Sequence, residues 1–160
     1  MKEISINSNF TVFDSIEDLP SDVAPLVQSA KNIRKTAYSK YSNFSVGVSV
    51  LMDNGEVITG SNQENAAYPS GLCAERTALF YANSMHPESN VICLVIVAGS
   101  INKINETPIA PCGGCRQVIS EFENKQNSPI GTYFMGEKGK IVFSNSIDNL
   151  LPFKFDSSFL

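Results

Sequence analysis

Two periods of apolar residues divide this chain. Leu26, Val27, Ala30, Ile33 and Ala37 recur at helical spacing, with Lys31, Arg34 and Lys35 on the other side, which predicts an amphipathic helix. Ser21 or Asp22 can cap it, with Pro25 in its first turn. Residues 44–52 then read as a strand, Asp53-Asn54-Gly55 as a hairpin turn, and 56–63 as the returning strand. A Gly- and Pro-punctuated loop over 65–72 leads into a helix over about 73–84, which Pro87 keeps from continuing. Residues 91–98 are apolar throughout, as in a strand buried on both faces. After a loop with Pro108 and Pro111 comes a helix over about 112–123. Two short strands, 130–135 and 140–144, flank Gly136-Glu137-Lys138-Gly139, and a helical turn at 146–150 precedes Leu151-Pro152. In residues 1–20, Ile4, Ile6, Val12 and Phe13 permit an edge strand.

Helices over 73–84 and 112–123 alternate with strands, so a crossover with parallel pairing is expected around strand 91–98. The opening hairpin must be antiparallel. The economical architecture is α/β: a three-layer α/β/α sandwich around a mixed, about five-stranded sheet.

Composition narrows the function. The chain has 160 residues, enough for one domain and too few for two separate cores. Twelve basic against sixteen acidic side chains leave a formal charge of -4, unlike the cationic surplus of a phosphate-backbone binder. The longest apolar run, 91–98, is far short of the ~20 residues that span a bilayer. Residues 1–7 lack the apolar stretch of a secretory signal, so a cytoplasmic protein without membrane or nucleic-acid partners is expected.

The four cysteines are not equivalent. Cys93 lies within the apolar strand and reads as a small core residue. Cys112 and Cys115 are three apart at the start of a helix, on one side, with Pro111 before them and Gly113-Gly114 between. Cys73 also opens a helix, where unpaired N–H groups and the helix dipole favour the thiolate. Two such helix starts converging would present three soft sulfur ligands, a set that selects zinc. Three ligands leave one position open for water, as in catalytic rather than structural zinc sites. His86 stands roughly 20 Å along the helix from Cys73, too far to be a fourth ligand.

Glu75, two residues past Cys73, could serve as a general acid–base beside a metal-activated water, although alone it reads as a first-turn carboxylate stabilised by the dipole. Three thiolates on Zn²⁺ leave one excess negative charge. Arg76, and with it Arg116, could offset that charge by donating to sulfur.

Cys73-Ala74-Glu75-Arg76 followed by Pro111-Cys112-Gly113-Gly114-Cys115-Arg116-Gln117 resembles the signature of the zinc-dependent cytidine deaminases, in the small, homotetrameric, three-cysteine branch. The likeness runs over about 21–155 and includes the blocks Tyr41–Gly47, Asn62–Tyr68 and Leu150–Pro152; Val48 and Ser49 stand where the family has a glycine- and alanine-rich stretch. It implies one deaminase-like domain over 1–160, with 1–20 as an N-terminal extension. It further implies one Zn²⁺ per chain and hydrolytic deamination of cytidine and 2′-deoxycytidine in pyrimidine salvage. Glu75 would move protons between water, ring N3 and the leaving amino group. Asn62 and Glu64 would bind the ribose 3′-hydroxyl, Ala66 and Tyr68 would belong to the nucleoside-binding segment, and Phe44 would pack on the ring. Backbone near Cys73 and Ala74 would bind the amide edge of the base. Phe155, or else Phe153, would reach a neighbouring subunit's site.

Other readings are weaker. A deaminase of another cytosine nucleoside, such as blasticidin S, should differ around Asn62–Asn65. A structural-zinc protein needs a fourth ligand, and a dithiol oxidoreductase using Cys112 and Cys115 leaves Cys73 and Glu75 unexplained. A polynucleotide editor should carry a basic, aromatic-lined run.

Overall fold

The computed structural model describes residues 1–160. Nine principal elements follow one another: β1 (Thr11–Phe13), α1 (Ala24–Arg34), β2 (Phe44–Met52), β3 (Val57–Ser61), α2 (Ala74–Met85), β4 (Val91–Ser100), α3 (Gly113–Gln126), β5 (Gly131–Met135) and β6 (Ile141–Ser144). They form one six-stranded sheet in the order β1-β6-β5-β4-β2-β3. Only β4 and β5 pair in parallel, through the α3 crossover; the other neighbours are antiparallel.

The expected three-layer sandwich with a mixed sheet is therefore present, with six strands rather than about five. The extra strand is β1, whose Val12 lies opposite Val142 of β6. Val12 and Phe13 permitted an edge strand here, and the open edge of β6 gives these residues their ladder partners.

Alternation along β4 divides the core. Leu94 and Ile96 face α2 and α3, packing with Ala78, Leu79 and Ile119. Cys93, Val95 and Val97 face α1, packing with Leu26, Val27 and Ala30. Such a strand, covered on both faces, must read as a continuous apolar run.

The start of α1 corrects one expectation. Its N-cap is Val23, with no side-chain cap, rather than Ser21 or Asp22. The carbonyl of Pro20 accepts the N–H groups of both Val23 and Ala24, so a main-chain turn satisfies the helix end in place of a side chain. No helix is long and apolar enough to cross a membrane.

Candidate active site and metal centre

Two helix starts meet on the α2/α3 side of the sheet. Cys73 is the N-cap of α2 and Cys112 the N-cap of α3, both with extended backbone and neither sulfur used for capping. Cys115 lies one turn into α3 and is fully buried. The loop before α2 is closed by reciprocal bonds between Gln63 and Leu72, each 2.8 Å, so Cys73 leaves a fixed point beside β3. Gly60 lets the first turn of α2 rest on β3, since a Cβ there would stand 2.7 Å from the nitrogen of Ala78.

The three Sγ atoms lie within 4.8 Å of one another, with Cys112 and Cys115 3.5 Å apart. Tetrahedral zinc with Zn–S bonds of about 2.3 Å places its sulfurs about 3.8 Å apart, so the trio fits that ion with small movements. The donor set also fits: all soft sulfur, with no fourth protein ligand in the cluster. Cys93, the remaining cysteine, points to the opposite face of the sheet, as its place in the apolar strand predicts. His86 caps the far end of α2, where its Nδ1 lies 3.3 Å from the amide nitrogen of Asn54.

Cys73 is the sulfur that Arg76 reaches. Its pKa is held down to about 5, first by a hydrogen bond from Cys115 and then by the guanidinium of Arg76, against the cost of burial. The same bond to Cys73, with burial behind it, pushes the Cys115 thiol up. Arg76 Nη2 stands 3.6 Å from Cys73 Sγ, the compensating contact expected one helical turn along. Arg116 departs from its expected role. Its Nε donates to Pro111 O and its Nη1 to Leu150 O, both at 2.8 Å, so it fastens the loop before α3 to the C-terminal segment rather than serving a sulfur.

Glu75 is only 5% exposed. Burial raises its pKa first, and the charge on Cys73 adds to the effect. A carboxyl that keeps its proton more readily than a solvated one is suited to giving and taking protons in a reaction. It shares a cavity of about 430 Å³ with Cys73, Cys112, Phe44, Asn62 and Glu64, a size within the usual range for small-molecule sites.

The other candidates are distributed unevenly around this cavity. Phe44, the first residue of β2, forms part of its wall. Asn62 spends its side chain largely on β2, with Oδ1 accepting Val46 N at 2.8 Å and Nδ2 donating to Phe44 O at 3.0 Å. One hydrogen of that amide stays free. Glu64 Oε2 accepts from the N–H groups of Tyr41 at 2.7 Å and Ser42 at 3.3 Å. Ser42, then Tyr41, holds its pKa below the ordinary carboxylate value. Ala74 is fully buried as the first residue of α2.

Tyr68 lies in an adjoining hollow with Tyr41, their rings edge to face at 6.5 Å. Ala66 is exposed in the intervening loop and lines neither space. Phe155 is outside the cavity, exposed and stacked on Phe159, and its carbonyl accepts from Gln117. Six wall residues were not singled out as site residues from the sequence: Ser42, Val46, Ile96, Ala98, Ile109 and Ala110. The last two had a usable signal, being apolar residues enclosed between Pro108 and Pro111.

Residues 21–144 match the family described as the cytidine and deoxycytidylate deaminase zinc-binding region. A cytidine deaminase of Sporosarcina psychrophila is 40% identical over 134 residues, which is 84% of this chain and 91% of that one. One from Halalkalibacterium halodurans is 45% identical over 131 residues, 81% of this chain and 91% of that one. Among solved structures, the cytidine deaminase of Burkholderia pseudomallei superposes with a TM-score of 0.69 at 35% identity, covering 82% of this chain and 97% of that one.

Proposed function

This chain belongs to the cytidine and deoxycytidylate deaminase family, and we propose that it hydrolyses cytidine, and 2′-deoxycytidine likewise, to the uridine nucleoside and ammonia. The observation that carries this reading is a cluster of three sulfurs, two of which share one cavity with a buried carboxyl. Cys73, Cys112 and Cys115 would hold one zinc ion, which when bound acidifies a water molecule and so supplies the nucleophile for C4 of the ring.

Glu75 carries the protons. It takes one from the attacking water and places it on ring N3 as oxygen adds to C4. It then takes the remaining hydroxyl proton and delivers it to the amino nitrogen. The C4–N bond breaks, the carbonyl forms and ammonia leaves, with every proton accounted for. Arg76 supports the cluster by donating to Cys73.

Substrate orientation falls to the opposite wall. Glu64 is fixed through Oε2 and keeps Oε1 to accept from the ribose 3′-hydroxyl, while Asn62 has one N–H to add. Phe44 presents its ring to the base. Backbone at Ala74 meets the amide edge, and Ala66 and Tyr68 complete the segment on the sugar side. In this reading 1–160 is one deaminase domain, 1–20 extends it, and it works in cytoplasmic pyrimidine salvage. It assembles as a homotetramer with sites at subunit interfaces, where Phe155 closes a neighbour's cavity. Sedimentation velocity checks the subunit number, and a monomer that turns over normally would refute that part.

The direct test is loss of the cytosine ultraviolet band, with ammonia release, on cytidine. Activity should disappear with a chelator and return with zinc, and purified protein should hold one zinc per chain. Zinc-loaded protein that leaves cytidine untouched would overturn the reading.

A further inference from the structure

We propose that Arg34, on the face of the sheet opposite the cavity, is the positioning residue that fixes the floor of the base pocket, acting through the backbone of Ser45 and Gly99. The inference rests on the reading of the cavity given above. Along β2, alternation puts Phe44 and Val46 into the cavity and Ser45 behind it. Along β4, Ile96 and Ala98 enter the cavity and Gly99 lies behind. Ser45 and Gly99 are direct partners between the two strands.

Arg34, the last residue of α1, reaches that pair from the rear. Its Nε donates to Ser45 O at 2.9 Å and its Nη2 to Gly99 O at 2.9 Å. Its third arm, Nη1, donates to Glu137 Oε1 at 2.8 Å, just past β5. One planar group therefore ties together the ends of three strands, a task that suits a rigid fork and not a lysine point charge. The side chain is 14% exposed, so these bonds compete little with water.

The approach of α1 depends on Gly47, where a Cβ would stand 2.1 Å from Ala30 O and 2.6 Å from the nitrogen of Arg34. Glu137, held by Arg34, in turn anchors the loop leaving β4. Glu137 N donates to Asn105 O at 2.7 Å, and Asn105 Oδ1 accepts Ser100 N at 2.8 Å. That loop goes on to Ile109, Ala110 and Cys112. Lys35 and Lys103 border the same outer groove and make no hydrogen bond to these strands.

Without the fork, the ends of β2 and β4 lose their rear tie and the floor beneath the base shifts. Small displacements of a binding floor are costly in rate and affinity. The sulfurs, held by α2 and α3, should stay in place. The test compares Arg34→Ala, Arg34→Lys and Lys35→Ala by four measurements: zinc content, uridine affinity by equilibrium dialysis, the KM and kcat for cytidine, and amide hydrogen exchange.

Arg34→Ala and Arg34→Lys should keep one zinc per chain and lose roughly tenfold or more in uridine affinity and in kcat/KM for cytidine. Exchange should quicken over 43–48 and 97–101, and millimolar guanidinium should restore part of the affinity of Arg34→Ala. Lys35→Ala should match wild type. Unchanged uridine binding in both Arg34 variants would overturn the proposal, and so would joint loss of zinc, binding and protection throughout the chain. Wild-type protein that binds no pyrimidine nucleoside would sink the reading of the cavity instead; quickening confined to those two segments would still mark Arg34 as their tie.

Discussion

Gly60 of β3 lies beneath the first turn of α2, so closely that a Cβ built there would stand 2.9 Å from the carbonyl oxygen of Ala74. Backbone is on the far side of that contact, so no side chain can swing away to relieve it. Gly60→Ala should therefore lift the start of α2, with Cys73 and Glu75 on it. Overpacking of this kind costs about 1–3 kcal/mol, to be read from denaturant unfolding. Zinc should also be lost to a chelator faster than from wild type. A variant with unchanged stability and zinc retention would show that the helix tolerates displacement.

Glu75→Gln keeps the size of the side chain and removes its capacity to trade protons. Metal content should stay at one per chain while turnover of cytidine falls by on the order of 10²–10⁴, the span for a general acid–base group. Metal analysis beside a spectrophotometric assay checks both halves. Near-normal turnover would take Glu75 out of the proton path.

The difference between Arg76 and Arg116 shows where sequence reading stops. Arg76 stands three residues after Cys73, and helix geometry alone puts the two on one face; the 3.6 Å contact follows. Arg116, four residues after Cys112, is the second arginine near the sulfurs, but its acceptors are the carbonyls of Pro111 and Leu150. Leu150 is brought there by the chain's return through β5 and β6, which no local pattern encodes. The same division holds elsewhere. The hairpin, the buried strand and the two cysteine-bearing helix starts were legible because each has a local cause: a turn triplet, a doubly covered face, a thiol at a helix end. The pairing of β1 with β6 and the hold of Asn62 on Phe44 and Val46 were not, because each takes its partner from elsewhere in the fold.

Glu64→Ala should separate sugar recognition from chemistry. The two N–H groups it leaves, on Tyr41 and Ser42, belong to exposed residues, so water can replace the carboxylate and the fold should persist. A charge-assisted bond to the ribose hydroxyl would be lost, raising the KM for cytidine roughly tenfold to a hundredfold. Activity on free cytosine, which has no sugar, should not move. Equal losses on both compounds would place Glu64 outside the sugar contact.

Cys93 tests the count of sulfurs. It sits in the same strand as Ile96 and Ala98 of the cavity wall, but alternation sends its side chain to the α1 side. Burial, with the charge of Asp22 behind it, pushes its pKa up to about 11, and its place in the α1-side core keeps it away from the three clustered sulfurs. Replacing it with alanine removes one sulfur atom from a packed layer, a loss comparable to trimming a methyl or two, or about 1–2 kcal/mol of stability. Zinc content and the kinetics on cytidine should both stay at wild-type values. Cys112→Ala, by contrast, takes away one of three sulfurs from the open cluster and should strip the metal and the activity together. If Cys93→Ala lost its zinc instead, four sulfurs would be holding the ion, its open position would be gone, and a water nucleophile at that site could no longer be sustained.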